Sequence, residues 1–270
     1  MDWVKTLVLG TVMSAACAPQ VLQAQQFDQQ AEQLVLDQLN ESRQEAGLAP
    51  LKVSPELLQA ARQHSVVMAR QRKLSHQLPG EPELQERLGV TGAHFFRSGE
   101  NVGFNTQADL IHDAFMHSPP HRQNLLTPEY NSVGIGIVQK GDSYWVTEDF
   151  AQTVAALSVD QASARAANAF VELRRHERLT PLAQVQIPQL HTAACAMAKS
   201  GEMNNRSLLQ LPGVRYTIAY TNAQPEVLPP DLSRIAAQSS IKRFAVGSCF
   251  VQNEKAPGGM FWIAMVFFGD

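Results

Sequence analysis

The order of structural elements in this chain is indicated by residues 118–126, which read SPPHRQNLL, and residues 133–136, which read VGIG. The opening Ser-Pro-Pro ends the helical pattern before it, because a residue that precedes proline avoids the α conformation. Beyond it, residues 132–139 and 143–150 have strand-like patterns and are joined by a Lys-Gly-Asp turn. This stretch therefore predicts a helix end followed by an antiparallel hairpin.

Upstream of that stretch, apolar residues recur at helical spacing in three segments. The first segment begins near Ala31 and stops at Gly47, a common helix terminator. The second begins at Pro55 and carries His64 on its apolar side, and the third spans residues 107–117. Helices followed by an antiparallel hairpin predict the α+β fold class.

Composition excludes some classes of function. The net charge is −3 and the pI is about 6.2, so the chain has no basic footprint for nucleic acid. Apolar residues make up 44% and charged residues 17%, which is typical of a globular protein. After the first 24 residues no segment is predicted to cross a membrane.

Residues 1–24 have the pattern of an export signal. Lys5 gives a basic start, and the apolar stretch that follows is too short for a mature membrane helix. Small residues then allow cleavage after Ala24, which predicts a secreted or periplasmic protein. The alternative is lipid anchoring at Cys17, because Ser14-Ala15-Ala16-Cys17 resembles a lipoprotein signal.

The second half of the chain repeats the first in order. The matching sets are Arg43, Leu48, Pro50 and Leu51 with Arg174, Leu179, Pro181 and Leu182; Pro55, Leu57, Ala60 and Ala61 with Pro188, Leu190, Ala193 and Ala194; and Val133-Gly134, Trp145 and Phe150 with Val246-Gly247, Trp262 and Phe267. A shared order over so long a stretch indicates an internal duplication. It predicts one domain over residues 27–155 and a second over residues 160–270.

Two cysteines lie in the predicted second domain. Cys195 falls on its second predicted helix and Cys249 on a later strand. In an oxidising compartment the two can form a disulfide, and the alternative is a pair of buried free thiols. Spacing alone leaves both alternatives open.

The first half contains a set of residues suited to site chemistry. His76 follows the second helix, Glu100 lies in a Gly-Glu-Asn run, and His121 lies in the stretch quoted at the outset. Neutral imidazoles bind transition metals, and a nearby carboxylate can act as a ligand, a proton acceptor or an orienting partner. Two histidines and one glutamate at these separations do not define a site by themselves.

The ordered motifs resemble those of bacterial CAP domains, in the superfamily of cysteine-rich secretory and pathogenesis-related proteins. The resemblance covers about residues 28–152 and rests on these runs: Leu39-Asn40-Glu41-Ser42-Arg43, Gly47-Leu48-Ala49-Pro50-Leu51, Leu74-Ser75-His76, Gly99-Glu100-Asn101, Ser118 to Leu126 and Val133-Gly134-Ile135-Gly136. It implies a three-layer α-β-α fold with a surface cleft, followed here by a degenerate CAP-like second domain. In that superfamily, two histidines and two acids commonly line the cleft and can hold a divalent metal.

Three of those four positions carry over to this chain, as His76, Glu100 and His121. The fourth, an acid in the family, falls on Ser118, which we interpret as a helix-ending residue that lines the cleft. The resemblance implies His76 and His121 as metal ligands, with zinc or another divalent ion as an open option. Glu148 can be either a polar residue of the cleft or an exposed residue at the edge of the sheet.

These residues support two functions of different kinds. The favoured one is non-enzymatic: a secreted protein that binds a small molecule, a lipid or a cell-wall component in the His/Glu cleft. The alternative is a metal-dependent hydrolase of peptide or cell-wall material, with Glu100 as the catalytic proton acceptor. A purely structural envelope protein is a third option. The sequence does not determine the ligand, the metal or the oligomeric state.

Overall fold

A computed structural model describes residues 27–269 of the 270-residue chain. The predicted signal peptide, residues 1–24, and the alternative anchor at Cys17 lie outside the described residues. Within residues 27–269, no helix is both long and apolar enough to span a bilayer.

The first half contains five helices and four strands over residues 29–153. They are α1 (Gln29–Glu45), β1 (Lys52–Val53), α2 (Pro55–Gln71), α3 (Leu84–Val90), β2 (Phe95–Asn105), α4 (Ile111–Met116), α5 (Pro119–Leu125), β3 (Ser132–Lys140) and β4 (Ser143–Thr153). The third predicted helix, over residues 107–117, is instead a short 3-10 turn followed by α4.

Local capping explains where the long helices begin. The side chain of Asp28 accepts a hydrogen bond from the backbone of Ala31 at the start of α1. At the start of α2, Ser54 accepts from the backbone of Leu57, and Pro55 occupies the first turn, where its missing N–H costs nothing. These caps satisfy backbone donors that have no partner inside a helix.

The four strands form one sheet in the order β1-β3-β4-β2, with β1 parallel to β3 and the other pairs antiparallel. Helices α1, α4 and α5 pack on one face, and α2 and α3 pack on the other. The predicted three-layer α-β-α arrangement is therefore confirmed. Strand β2 lies at an edge of the sheet.

Two glycines on β3 let α2 lie directly on the sheet. A Cβ atom at Gly134 would lie 2.1 Å from the carbonyl carbon of Leu57, and one at Gly136 would lie 2.3 Å from the backbone nitrogen of Arg62. No side chain fits in that space, so the VGIG run fixes how closely the helix approaches the sheet.

The second half contains a separate sheet with the same arrangement of strands. Its elements are α6 (Val159–His176), β5 (Ala183–Gln184), α7 (Gln189–Ser200), β6 (Val214–Asn222), α8 (Leu232–Ala236), β7 (Arg243–Asn253) and β8 (Ala256–Phe268). The strand order is β5-β7-β8-β6, with β5 parallel to β7. Helices α6 and α8 cover one face and α7 the other.

The contacts of one glycine support a predicted match between the halves. A Cβ atom at Gly247 would lie 2.6 Å from the carbonyl carbon of Leu190, as one at Gly134 would lie 2.1 Å from that of Leu57. Leu57 and Leu190 are themselves matched, so the helix packing agrees with the match of Gly134 with Gly247. The strand ladders differ here by two residues, because Val133 lies opposite Phe150 and Phe244 lies opposite Phe267.

Cys195 and Cys249 form a disulfide that joins α7 to β7, with their Cα atoms 5.0 Å apart. Both cysteines lie on the elements predicted for them. Of the two alternatives left open by the sequence, the structure shows the disulfide.

Candidate functional site

Glu100 is the central acid of the predicted cleft. It lies on edge strand β2 and is only 6% exposed. One carboxylate oxygen accepts a hydrogen bond from His76 Nδ1 at 2.8 Å, and the other contacts the guanidinium of Arg87. Both oxygens of Glu100 are therefore engaged by side chains of the same domain.

His76 lies in the loop between α2 and α3, and its ring remains largely exposed although Nδ1 bonds Glu100. The hydrogen bond to Glu100 raises the pKa of His76 above its ordinary value, because the carboxylate favours the protonated ring. Burial and the nearby Arg87 act in the opposite direction and are weaker than that bond.

Arg87 was not singled out by the sequence, yet it organises this part of the site. It is buried on α3 and donates to the backbone carbonyls of His76 at 3.0 Å and Pro82 at 3.2 Å, besides binding Glu100. Arg87 therefore holds both the carboxylate of Glu100 and the main chain that carries His76.

His121 lies on α5, beside the residue that follows Glu100 on β2. Its carbonyl accepts from Asn101 at 3.2 Å, and its ring packs on Phe115 with centroids 4.9 Å apart. Burial lowers the pKa of His121, and the nearby positive charge of His76 lowers it further. His76 and His121 are thus both placed around residues 100–101 of β2, with pKa values shifted in opposite directions.

Two asparagines fix α5 against the edge strand. Asn124 donates to the carbonyl of Glu100 at 3.0 Å and to the side chain of Asn101 at 2.9 Å. Both asparagines lie within the runs that carried the family resemblance, but only the neighbouring Glu100 and His121 were predicted as site residues. Asn101 directly follows Glu100, and Asn124 lies close to His121 in the same run. This placement was the signal that could have identified the two asparagines.

A third histidine of the first half also lies close to Glu100. His64 on α2 is fully buried, with Nδ1 2.8 Å from Glu81 and Nε2 2.9 Å from the carbonyl of Ser75. Its Nε2 also lies 3.8 Å from Glu100. The sequence placed His64 on an apolar helix face, and nothing in that pattern indicated its acidic partners.

Two more acids lie next to the site on β4. Asp149 is directly opposite Glu100 across the ladder and is fully buried. Burial raises the pKa of Asp149 well above its usual value, and the negative charge of Glu100 raises it further. An adjacent pair of this kind favours one neutral carboxyl group, because two like charges cannot both be stabilised there.

Glu148 faces the opposite side of the sheet from Asp149. It is completely buried and accepts a hydrogen bond from Asn101 at 3.0 Å. Burial raises the pKa of Glu148 to about 8, with the Asn101 bond opposing that shift. The alternative of an exposed edge residue is therefore wrong, and Glu148 is a buried acid that contacts Asn101.

Ser118, the fourth predicted cleft residue, immediately precedes α5. Its carbonyl accepts from the backbone of Arg122 at 2.8 Å, which fits its predicted role at a helix boundary. Within residues 27–269, no hydrogen bond joins its side chain to His76, Glu100 or His121. Its role as a cleft residue stays a prediction.

The side chains at the cleft are a poor match for a catalytic zinc site, which usually has three protein ligands. Glu100 already binds Arg87 and His76, and the guanidinium places a fixed positive charge beside the carboxylate. Across the described part of the chain, no three His, Cys, Asp or Glu side chains are grouped to hold a metal. Two imidazoles remain, and the metal site that the family resemblance implies at His76 and His121 is untested.

The histidines of the second half do not recreate this arrangement. His191 Nδ1 lies 2.8 Å from the carbonyl of Ser248, and His176 is exposed at the end of α6. His191 also lies 3.8 Å from the sulfur of Cys195. Neither histidine lies beside a glutamate equivalent to Glu100.

Comparisons with known proteins match the first half of the chain. Residues 36–150 match the family described as CAP, the cysteine-rich secretory protein family. The chain is similar to the uncharacterized protein YkwD of Bacillus subtilis, with 31% identity over 119 residues that cover 43% of this chain and 46% of that protein. It is also similar to the uncharacterized membrane protein YlbC of the same organism, with 29% identity covering 41% of this chain and 32% of that protein.

Both curated relatives are thus matched over less than half of their own length. Among solved structures, an extracellular protein containing an SCP domain from Bacillus anthracis is 25% identical, with a TM-score of 0.42. That match covers 46% of this chain and 41% of the other.

Proposed function

Because the first half of this chain is a bacterial domain of the CAP superfamily, we propose that the protein is an exported binding protein. Its ligand is an extracellular or envelope molecule held at the cleft of His76, Glu100 and His121. The observation that carries this proposal is the contact between His76 and Glu100, in which a buried carboxylate orients an imidazole that remains exposed.

The opposite pKa shifts of the two histidines suit recognition of a polar group. His76, favoured in its protonated form by Glu100, offers a charged donor. His121, favoured in its neutral form by burial, has one ring nitrogen that accepts and one that donates. A ligand with neighbouring acceptor and donor atoms, such as a sugar hydroxyl pair or a lipid headgroup, complements such a pair.

The disulfide supports the proposal of export. Structural disulfides persist in oxidising compartments and are rare in the reducing cytosol. The Cys195–Cys249 bond therefore fits a secreted or periplasmic location. Mass spectrometry of the mature N-terminus would distinguish cleavage after Ala24 from lipid attachment at Cys17.

Binding is a better match to this geometry than hydrolysis. A general base must accept a proton from the attacking water, within hydrogen-bond reach of one carboxylate oxygen. In Glu100 one oxygen accepts from His76 and the other binds the fixed cation of Arg87. Both oxygens of Glu100 are therefore already occupied, and its carboxylate is suited to orienting His76.

The proposal is tested by a ligand search on the mature protein with three probe sets: soluble cell-wall fragments, phospholipid vesicles and small polar metabolites. Ligand-observed NMR detects binding without assuming a chemistry. We expect His76→Ala and His121→Ala each to weaken binding by about tenfold, the order of one hydrogen bond to a charged group. His176→Ala, an exposed histidine of the second half, is the matched control and should change nothing.

A ligand bound equally well by the His76→Ala and His121→Ala variants would place the binding surface elsewhere. Turnover of a cell-wall fragment that is lost in Glu100→Gln would instead support the hydrolase.

A further inference from the structure

Helix α3 connects the cleft to the second half of the chain. Arg87 on this helix binds Glu100 and the main chain of His76. The same helix packs on the hairpin formed by β7 and β8, and β8 is the element that it contacts most extensively. Helix α3, which carries Arg87, is therefore in contact with both halves of the chain.

A side chain of the second half caps the end of α3. Gln252 Nε2 lies 3.2 Å from the carbonyl oxygen of Gly89 and 3.3 Å from that of Ala93. It also donates at 2.7 Å to the carbonyl of Pro257 within its own hairpin. The Gly89 carbonyl also accepts from the backbone of Gly92 at 3.0 Å, so Gln252 adds a side-chain donor from the second half to this helix end.

The two halves also meet backbone to backbone at this point. A Cβ atom at Gly89 would lie 2.7 Å from the carbonyl oxygen of Pro257, and one at Gly258 would lie 2.1 Å from the carbonyl oxygen of Phe95. Real Cβ contacts do not approach so closely, and each obstacle is a backbone atom that cannot swing aside. Any side chain at Gly258 must therefore push the hairpin away from the first residue of β2.

Aromatic stacking completes the contact. The ring of His94, in the segment between α3 and β2, stacks on Phe250 of β7 with centroids 4.9 Å apart and planes 7° from parallel. Gln252, Gly258 and Phe250 thus surround the segment that follows α3.

We propose that the β7–β8 hairpin positions Arg87 against Glu100, so that the second half of the chain completes the cleft of the first. Gln252 and Gly258 are positioning residues that act through α3 and do not touch the ligand. The inference concerns the geometry of the cleft, and only its consequence for ligand affinity rests on the proposed function. It gives the second half a role even though that half has no His/Glu constellation of its own.

The apolar contacts of α3 with the first half come from Leu88 and Leu84. Leu88 is buried in the apolar cluster that α3 shares with α2, and the partly buried Leu84, one turn earlier, packs against the same cluster. The hairpin adds a contact at Gly89, near the C-terminal end of the helix. Loss of that contact would let this end shift and carry the neighbouring Arg87 away from Glu100.

The test follows the side chain of Arg87 by NMR in the full mature chain without ligand. Guanidinium protons held in a buried ion pair exchange slowly with water, and the Arg87 signals are assigned by their loss in Arg87→Lys. We expect exchange to become about tenfold faster or more in Gln252→Ala and Gly258→Ala, because the end of α3 loses its hold. Lys255→Ala, in the exposed turn of the same hairpin, is the control and should leave exchange unchanged.

The proposal fails if Gly258→Ala abolishes the ring-current shift between His94 and Phe250 while the Arg87 signals stay as in the wild type. It also fails if Gly258→Ala leaves both unchanged, because the close approach would then not exist. If Gly258→Ala does not fold, the exchange rate of the Arg87 guanidinium protons in Gln252→Ala tests the proposal instead, since that variant removes only a side-chain amide. No ligand takes part, so a failed ligand search leaves this result standing.

Discussion

Arg174 makes in the second half the contact that Arg43 makes in the first. The Nε of Arg43 donates to the carbonyl of Ala49 at 2.9 Å, and the Nε of Arg174 donates to the carbonyl of Thr180 at 3.1 Å. Each acceptor immediately precedes a proline of the matched motif. The buried guanidinium therefore ties the end of the first helix of each half to the link that follows it.

Replacing Arg43 with Met should destabilise the first half. Arg43 is fully buried and also donates to the carbonyls of Leu125, Thr127 and Tyr130, so the variant leaves several buried acceptors without a donor. We expect the free energy of unfolding to fall by about 3–5 kcal/mol in urea titrations. Arg72→Met, on an exposed arginine at the end of α2, is the control; an equal loss there would contradict this interpretation.

Replacing Glu148 with Gln should remove a pH dependence of stability. Burial raises the folded-state pKa of Glu148 from 4.5 to about 8, so the folded state holds this proton more tightly than the unfolded state. The stability of the wild type therefore falls as pH rises through that interval, by up to about 3 kcal/mol at neutral pH. Glu148→Gln should match the wild type near pH 4 and exceed it near pH 8.

Urea unfolding at a series of pH values checks this prediction. Glu129→Gln, at an exposed glutamate that pairs with the exposed Arg97, should follow the wild-type curve throughout. If the stability of Glu148→Gln changed with pH in the same way as that of the wild type, Glu148 would not be the source of the pH dependence.

Replacing Glu100 with Gln should lower the pKa of His76, because the bond to the Glu100 carboxylate is the main cause of its elevation. A histidine with a raised folded-state pKa stabilises the fold below its unfolded pKa, and this contribution is lost as pH rises through the folded value. The variant should therefore lose that contribution on the acidic side. Histidine NMR titration measures the shift directly, and His94, whose pKa is set by burial and Glu56, should titrate unchanged.

Zinc should show no saturable one-to-one binding to the wild type in calorimetry near neutral pH. The positive charge of Arg87 and the occupied oxygens of Glu100 leave two imidazoles, which is fewer than the three ligands of a typical catalytic site. Saturable binding heat that disappears in His76→Ala would overturn this expectation and would restore the metal site implied by the family resemblance.

Replacing both Cys195 and Cys249 with Ser should lower the stability of the second half. The disulfide closes a segment with a sequence separation of 54, and such a loop contributes roughly 2–4 kcal/mol by restricting the unfolded chain. We expect a lower midpoint in chemical denaturation, and reductant should produce a similar drop in the wild type only. An unchanged midpoint would show that the rest of this domain suffices.

Prediction from the sequence succeeded where the signal is local. Apolar spacing placed the first helix near Ala31, close to the start of α1 at Gln29, and Pro55 gave the start of α2. The hairpin of β3 and β4 follows from its turn residues. Helix α3 was missed because it has only two turns, too few for a clear periodicity. Strand β2 was missed because glycines at Gly99 and Gly103 interrupt its pattern.

The sequence by itself determined the fold class and the repeated order of elements, and the family resemblance singled out His76, Glu100 and His121 as candidate residues. Local propensity, helix caps and the periods of 3.6 and 2 residues are properties of neighbouring residues, and a sequence displays them directly. The candidate histidines were likewise chosen from motifs that lie within short runs.

Only the tertiary structure decided which side chains surround these residues. Arg87 meets Glu100, Asp149 faces it across the ladder, and Gln252 reaches α3 from the other half of the chain. Each contact depends on the register of strands and on how closely helices pack, which are set by the whole core together. Residues distant in sequence therefore carry no local mark of their partners, and only burial in the folded core raises the pKa of an acid such as Glu148.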